Sequence, residues 1–292
     1  MRVTGNRMID LATGATAAGQ ARVASAAQEV TSGMRVTRPS DDPSAYVAAE
    51  RAKLHKNLVS GSTKAVQTSR ERLDLVDGAL ATIGDVVSQI RSIALQGSSA
   101  TYNASDRAQM AEQVRTLMET AVGAANVRAA DGEYLLAGSS SVATPFSAAG
   151  VYSGNADTRD VATSATTSVR ATVAGSDLTA VNGGVDVLPL MERVASALST
   201  NDTTALATTL NDLAKAVEQV GLARTRVGGS MAVLDATLTA HGELADSLAK
   251  TISNEVEVDS LAAASNLAKT SQALEVSRTV TSHLLSLLDP RG

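Results

Sequence analysis

Apolar residues recur in steps of three and four over two long stretches of the chain, one near residue 80 and one near residue 240. This spacing marks one face of an α-helix, and stripes of this length favour long helices that pack side by side. The first stripe comprises Leu73, Val76, Leu80, Ile83, Val87, Ile90 and Ala94. The second comprises Met231, Leu234, Leu238, His241, Ala245, Leu248 and Ile252. The chain is therefore predicted to be mainly helical.

Aromatic side chains are scarce for a chain of 292 residues. Hydrophobic residues make up 44% of the sequence but aromatic ones only 2%, with Phe146 as the single Phe and no Trp. Enzymes usually fill their cores and line their pockets with aromatic side chains. A core of Ala, Val and Leu instead suits helices that approach closely. An Ala-rich helical protein of any function would have a similar composition, so composition alone does not choose between them.

Both ends of the chain also carry a helical pattern. From Met8 to Val30 there is no Pro, and Met8, Leu11, Ala15 and Ala18 follow the spacing of a helix seam. A glycine weakens a helix interior by about 1 kcal/mol relative to Ala, and this segment contains two, so the helix needs a partner. The last segment, 261–288, has one apolar face made of Leu267, Leu274, Val280 or Thr281, Leu284, Leu287 and Leu288.

Two breaks divide the helical parts. Thr31 to Pro43 contains Gly33 and two prolines, and Asn254 to Asp259 loses the helical period, so each is predicted to be a joint. A third helix is expected to start at a cap, Ser105 or Asp106, and to end at Asp131-Gly132.

The middle of the chain differs from both ends. Residues 138–186 are rich in Ser, Thr, Gly and Val with turn signals at Gly154-Asn155 and Asn182-Gly183, which predicts a small β-rich insertion. About fifty residues is close to the minimum for an independent domain, so the insertion is expected to lean on the helices. Its polar faces suit solvent, and its removal is expected to preserve helical content. The predicted fold is mainly α: an elongated helical coiled-coil and bundle rod built from both termini, with this insertion. The predicted domains are 1–43 with 254–292, 44–137 with 187–253, and 138–186.

Charge and cysteine content exclude several classes of function. The net charge is −5, from 25 basic and 30 acidic residues without a basic run, so nucleic acid is not an expected partner. Cysteine is absent, which excludes disulfides and thiol chemistry. No stretch approaches the roughly 20 apolar residues that span a membrane, and the N-terminus lacks the apolar core of a secretory signal.

No constellation of residues predicts catalysis, a cofactor or a metal ion. The three histidines are isolated, and His241 lies on a helical stripe where a packed core histidine is expected. Asn155, Asp157 and Asp160 suggest a calcium loop, but the loop's Gly and terminal Glu are missing, so a polar turn is the better interpretation. The pair Asp41-Asp42 is interpreted as a helix start, with acids near the positive end of the helix. We expect neither an enzyme nor a bound cofactor.

One short motif resembles a known family. The segment Ser32-Gly33-Met34-Arg35-Val36-Thr37-Arg38-Pro39-Ser40-Asp41-Asp42-Pro43 is similar to the N-terminal box of the flagellar hook-associated junction proteins, within the flagellin superfamily. Flagellin itself usually has Ala-Lys-Asp-Asp-Ala or a close variant at this place. Met34 replaces the usual Lys of the family.

Two further segments extend this resemblance. Tyr134-Leu135-Leu136-Ala137-Gly138, followed by Pro145-Phe146 and Tyr152-Ser153-Gly154, is similar to the entry of the family's β domain, with Leu136 where Phe is usual. The end of the chain, Leu285-Ser286-Leu287-Leu288, is similar to the tail of the whole superfamily. The resemblance thus covers nearly the whole chain and is weakest from Asn155 to Val187.

The resemblance implies a subunit with three layers: an inner coiled coil of both termini, a helical bundle, and an outward β insertion. It implies a structural protein of bacterial motility that joins the hook to the flagellin filament, secreted without cleavage through the flagellar type III channel and placed outside the cell at the hook–filament junction. The implied partners are the first hook-associated junction protein, flagellin, further copies of this chain and a flagellar export chaperone. The assembly residues are expected to be Arg38, Pro39, Ser40, Asp41, Asp42, Pro43, Met8, Leu11, Leu274, Val280, Leu284, Leu287 and Leu288.

Three alternatives compete with this interpretation, namely flagellin, a coiled-coil sensory or adhesive protein, and an enzyme. Flagellin, the filament subunit, is the alternative within the structural class, and the form of the box and the small insertion favour the junction protein over it. A coiled-coil sensory or adhesive protein would need a membrane anchor or a ligand pocket, and the sequence shows neither.

Overall fold

Helices dominate the structure. The computed structural model describes residues 2–139, 143–163 and 167–288, and it is 74% helical. Its α-helices are α1 (Arg2–Ser32), α2 (Pro43–Gly97), α3 (Ala104–Ala125), α4 (Val187–Ser199), α5 (Thr203–Val256) and α6 (Ser260–Leu288). Its strands are β1 (Asp160–Ala162) and β2 (Ser168–Arg170), an antiparallel pair in which Val161 lies opposite Val169. The prediction of a mainly α fold with a small β insertion is confirmed.

The chain forms two compact units. The terminal unit consists of Met1–Val59 and Glu243–Gly292, and the central unit consists of Ser60–Gly242. The helices α2 and α5 each contribute residues to both units. The predicted bundle and the predicted insertion therefore fall largely within one unit, while the division into three domains stays a prediction.

The core of the central unit is built on the first stripe recognised in the sequence. All seven residues of that stripe on α2 are 2% exposed or less. They belong to one cluster with residues of the other helices, namely Val114, Met118 and Ala121 of α3, Leu190, Met191 and Leu198 of α4, and Leu206, Leu213, Val220 and Val227 of α5. Burying one such aliphatic side chain stabilises the fold by about 1.5–3 kcal/mol. Aliphatic residues therefore make this core with almost no aromatic help.

The insertion shares this core. Phe146, Val173 and Leu178 of the insertion are 2%, 7% and 2% exposed, and they pack in the same cluster as the helices. The amide of Asn126, the residue that follows α3, donates to the carbonyl of Phe146 at 2.9 Å and accepts from its N–H at 3.0 Å. The expectation that the insertion leans on the helices agrees with this arrangement. The insertion contains short 3₁₀ helices, Gly175–Leu178 and Ala180–Asn182, as well as β1 and β2.

Gln219 of α5 holds the returning limb of the insertion. Its amide nitrogen donates to the carbonyls of Asp177 and Thr179 at 2.9 and 3.0 Å, and its amide oxygen accepts from the N–H of Val185 at 2.9 Å. Both donors of the side chain are therefore used on the backbone of one loop. A single helical glutamine thus fixes the path of residues 177–185 against the bundle.

Some helix boundaries differ from those predicted. Asn103 caps α3, and Asp106 at the third position completes a reciprocal capping box, so neither Ser105 nor Asp106 is the cap. The helix ends at Ala125, and Asp131-Gly132 instead forms the turn of a small hairpin in which Arg128 lies opposite Tyr134. The correction has a simple cause: an Asp-Gly turn signal serves a hairpin as well as a helix end.

Candidate assembly site

The two ends of the chain pair with each other in the terminal unit. Helices α1 and α6 run antiparallel, since Thr16 lies beside Thr281 and Ser277, with hydroxyl oxygens 3.2 and 3.5 Å apart, and Gly19 lies farther along against Leu274. The less exposed face of α1 is Ile9, Ala12, Thr16, Gly19, Val23 and Ala26. The corresponding face of α6 is Ala263, Leu267, Thr270, Leu274, Ser277 and Thr281. Both faces follow the three-four spacing that the sequence predicted for the two ends.

The face of α1 that packs against α6 differs from the predicted face, so the prediction of the α1 seam was wrong. Met8 and Leu11, which were placed on the seam, are 56% and 75% exposed, and Ala15 and Ala18 are exposed as well. On α6, Thr281 takes the packed position and Val280 is 53% exposed. The cause is that α1 meets α6 through small and polar residues as well as apolar ones. The hydroxyls of Thr16 and Thr281 lie in contact, and Gly19 gives Leu274 room, since a Cβ at residue 19 would lie 3.1 Å from Cδ1 of Leu274. A search for apolar periodicity does not detect such a face.

The displaced apolar residues line an open groove. It has a volume of about 390 Å³ and lies between α1 and α6. Its lining residues are Met8, Leu11, Ala12, Ala15, Ser277, Val280 and Thr281. We call this surface the terminal groove. Three of the predicted assembly residues therefore lie together on an exposed apolar surface, although not on the seam between the two helices.

Asp41 organises the turn that follows α1. Its Oδ2 accepts from the N–H groups of Thr37 and Arg38 at 3.0 and 2.9 Å and from the hydroxyl of Thr37 at 3.1 Å. These bonds favour the charged form, so the backbone N–H of Thr37, followed by that of Arg38, lowers the pKa of the Asp41 carboxyl. Asp41 thus closes the loop behind it.

Asp42 starts α2. Its Oδ1 accepts from the N–H groups of Ser44 and Ala45 at 3.2 and 3.1 Å, which is the geometry of a helix cap. The hydroxyl of Ser44, the N–H of Ala45 and the guanidinium of Arg35 lower the pKa of Asp42 from 3.8 to about 2. The interpretation of the Asp-Asp pair as a helix start agrees with this geometry. Asp41 accepts hydrogen bonds from the loop before the helix, and Asp42 caps the helix itself.

The two joints predicted from the sequence are bonded to each other. The N–H groups of Arg35 and Val36 donate to the carbonyl of Val256 at 2.7 and 3.3 Å, and the N–H of Val258 donates to the carbonyl of Gly33 at 3.0 Å. Beneath these bonds lies a small buried cluster of Val36, Ala45, Ala49 and Val256. We call residues 33–42 and 257–259, with these bonds, the paired crossing. The second joint is shorter than predicted because α5 continues to Val256.

The remaining predicted assembly residues lie in several places. Arg38, Pro39 and Ser40 are exposed in the first segment of the paired crossing, and Pro43 is exposed at the start of α2. Leu274 of α6 is buried against α1. Leu284, Leu287 and Leu288 belong to α6, but their side chains lie outside the described part of the structure. The role of these residues in assembly stays a prediction.

Residues with important contacts were missed in the sequence. The guanidinium of Arg35 donates to the carbonyl of Glu255 at 2.8 Å and to Oδ2 of Asp42 at 3.1 Å. The contacts of Arg35, Asn126 and Gln219 each join segments that are distant in the chain, so local spacing gives no signal for them. Arg35 could have been noticed as part of the family box.

The described residues form no metal cluster and no membrane-spanning helix. Within the described residues, no three His, Cys, Asp or Glu side chains are grouped to hold a metal ion. None of the described helices is both long and apolar enough to cross a membrane. His241 is partly buried with its Nδ1 3.3 Å from the hydroxyl of Thr63, while His55 and His283 are exposed.

Acid is expected to loosen the paired crossing. The folded-state pKa of Asp41 and Asp42 is lowered, so their contribution to stability is present above about pH 4 and is lost as pH falls towards 2. We expect the N–H resonances of Ser44 and Ala45 to shift over this window in an NMR titration. Asp42→Asn should remove this titration step, and an unchanged step in that variant would contradict the assignment.

Comparison with known proteins relates the first half of the chain to one family. Residues 6–141 match the family model described as the bacterial flagellin N-terminal helical region. The match spans nearly all of α1, the whole of α2 and α3, and the connection 33–42 between the first two helices.

Individual relatives and solved structures include hook-associated proteins of the flagellum. The chain is 27% identical over 131 residues to flagellar hook-associated protein 3 of Escherichia coli (strain K12), covering 44% of this chain and 41% of that protein. It superposes on a flagellar hook-associated protein of Vibrio parahaemolyticus with a TM-score of 0.68 and 19% identity, covering 74% of this chain and all (100%) of the other. FlgL of Xanthomonas campestris gives a TM-score of 0.61 and 19% identity, covering 70% and 99%. The resemblance to the flagellar hook-associated junction proteins is confirmed.

Proposed function

We propose that this chain is the structural subunit that joins the hook of the bacterial flagellum to its flagellin filament. The observation that carries the proposal is the fold, which covers complete or nearly complete structures of hook-associated proteins. The sequence match to hook-associated protein 3 spans 41% of that relative, so its whole activity is inferred for this chain. The box Arg38 to Pro43 has the form seen in junction proteins, which favours this branch over flagellin.

The terminal unit offers a physical basis for assembly. Met8, Leu11 and Val280 expose large apolar side chains along the terminal groove. Burying this apolar surface against a partner would lower the free energy of the assembly. In the proposed lattice, neighbouring subunits cover this groove, so these exposed side chains become buried during assembly. The proposed neighbours are further copies of this chain, the first hook-associated junction protein below and flagellin above. Delivery by an export chaperone through the type III channel to the cell exterior belongs to the same proposal.

A single charge in the terminal groove tests this proposal. Leu11→Glu places a carboxylate on a residue that is 75% exposed, so the isolated chain should keep its helical content and its export. Incorporation into the flagellum should fall at least tenfold, because assembly would have to bury an unpaired charge. The measurement is immunoblotting of purified hook–filament complexes against the culture supernatant.

A matched variant controls for charge alone. Gln20→Glu adds the same carboxylate to an exposed position on another face of α1 and should incorporate normally. Normal incorporation of Leu11→Glu would show that the terminal groove is not covered in the assembled flagellum.

Flagellin is the second candidate function. The match to the flagellin N-terminal region favours it as much as it favours a junction protein, because the superfamily shares this region. The two candidates differ in what a cell lacking the chain would do with its flagellin, and that difference can be measured.

A further inference from the structure

We infer that Arg35 couples the two segments of the paired crossing, 33–42 and 257–259. Local unfolding of one segment then occurs together with local unfolding of the other. The importance of this coupling for assembly rests on the proposed function. The coupling itself is a property of the folded chain and can be measured without a flagellum.

Arg35 donates hydrogen bonds to the last carbonyl groups of α5. The last carbonyls of an α-helix have no partners within the helix. Here the guanidinium of Arg35 donates to the carbonyl of Glu255 at 2.8 Å, and the N–H of the same residue donates to the carbonyl of Val256 at 2.7 Å. A cation at this position also interacts favourably with the negative end of the helix dipole. Arg35, in the first segment of the crossing, therefore caps α5, the helix that precedes the second segment.

The same guanidinium reaches the start of α2. Its Nη1 lies 3.1 Å from Oδ2 of Asp42, and the other carboxylate oxygen of Asp42 caps the helix through Ser44 and Ala45. The planar fork of an arginine can hold two acceptors at fixed separation, whereas the ammonium of a lysine is a single point charge. Arg35 thus connects the end of one helix with the start of another.

The other two helix ends are tied in at the same place. Gly33, with φ of 68°, ends α1, and its carbonyl accepts from the N–H of Val258. One residue later, Asp259 caps α6 by accepting from the N–H groups of Leu261 and Ala262 at 2.9 and 3.2 Å. Four helix ends therefore meet at the paired crossing, and the side chain of Arg35 bridges two of them. Local unfolding of one segment therefore removes hydrogen-bond partners from the other segment.

Native-state hydrogen exchange measured by NMR tests the coupling on the full chain. The probe is the N–H of Val258, whose acceptor is Gly33 and which has no bond to Asp42. Asp42→Asn should accelerate exchange at Val258 by about threefold to tenfold, since one arm of the bridge is weakened. In an Arg35→Ala background the same substitution should change the exchange rate less than about twofold, as expected when the connecting residue is missing.

Two more backgrounds separate bridging from charge. Arg38→Ala removes a neighbouring cation and keeps the backbone bond from Arg38 to Asp41, so the effect of Asp42→Asn on Val258 should persist. Arg35→Lys keeps the charge without the fork, so the effect should be lost as it is in Arg35→Ala. An effect that persists in Arg35→Lys or Arg35→Ala, or no effect in the native chain, would overturn the inference. These measurements do not depend on assembly, so their outcome is separate from that of the proposed function.

Discussion

Replacing residues 139–186 by a short flexible linker is expected to destabilise the central unit severely. The insertion supplies Phe146, Val173 and Leu178 to the core, and removing large buried side chains costs about 2–5 kcal/mol each. The total is comparable to the entire stability of a typical domain, about 5–15 kcal/mol. Thermal unfolding followed by circular dichroism should show a much lower and broader transition. This reverses the expectation, based on the polar composition of the insertion, that its removal preserves the helices.

A smaller deletion is the control. The strands β1 and β2 expose Asp160, Ala162, Ser168 and Arg170 and bury Val161 and Val169 only partly. Replacing residues 160–170 by a short Gly-Ser turn should therefore leave the melting temperature nearly unchanged. Equal losses in the two deletions would mean that the hairpin, and not the shared core, carries the stability of the insertion.

A point substitution probes the same shared core. A Cβ at Gly175 would lie 2.5 Å from Cε2 of Tyr152 and 2.8 Å from both the carbonyl of Leu136 and the ring of Phe146. Gly175→Ala should therefore cost about 1–3 kcal/mol through displaced rings and backbone. Gly221→Ala on α5, where nothing lies within 4 Å, should instead stabilise by about 0.5–1 kcal/mol. Equal effects at the two sites, measured by denaturant unfolding, would contradict this account of the core.

The sequence predicted the helices well where one face is apolar and continuous. The stripe from Leu73 to Ala94 is buried throughout, because alternation of three and four residues leaves no other face of α2 for the core. The break after α1 was equally clear, since Gly33 and Pro39 are incompatible with a continuous helix. These features depend only on local chemistry.

Other features depend on tertiary contacts and could not be predicted. The packed face of α1 includes Thr16 and Gly19. Their contacts are with Thr281 and Leu274, which lie more than 250 residues away in the sequence. Apolar periodicity selected Met8 and Leu11 instead, because a large side chain counts as a core residue whether or not a partner is present. The contacts of Arg35 and Gln219 have the same origin. Of the candidate site, the box was therefore recognised, but its bridge to α5 was not.

Loss of the whole chain should have the largest effect on the organism. If the protein joins hook and filament, a strain without its gene should build hooks but no filaments, because flagellin would have no subunit to attach to. Flagellin would still be exported and should accumulate in the medium as monomer. A strain that instead lacks its flagellin would release none of that protein. Complementation with the intact gene should restore filaments, and complementation with Leu11→Glu should not.

The most direct test of the central claim is to image flagella of the null strain by electron microscopy and measure flagellin in its supernatant. If this chain joins the hook to the filament, the null strain should show bare hooks together with abundant soluble flagellin. Bare hooks without any released flagellin would identify the chain as the filament subunit, and normal filaments in the null strain would contradict both structural roles.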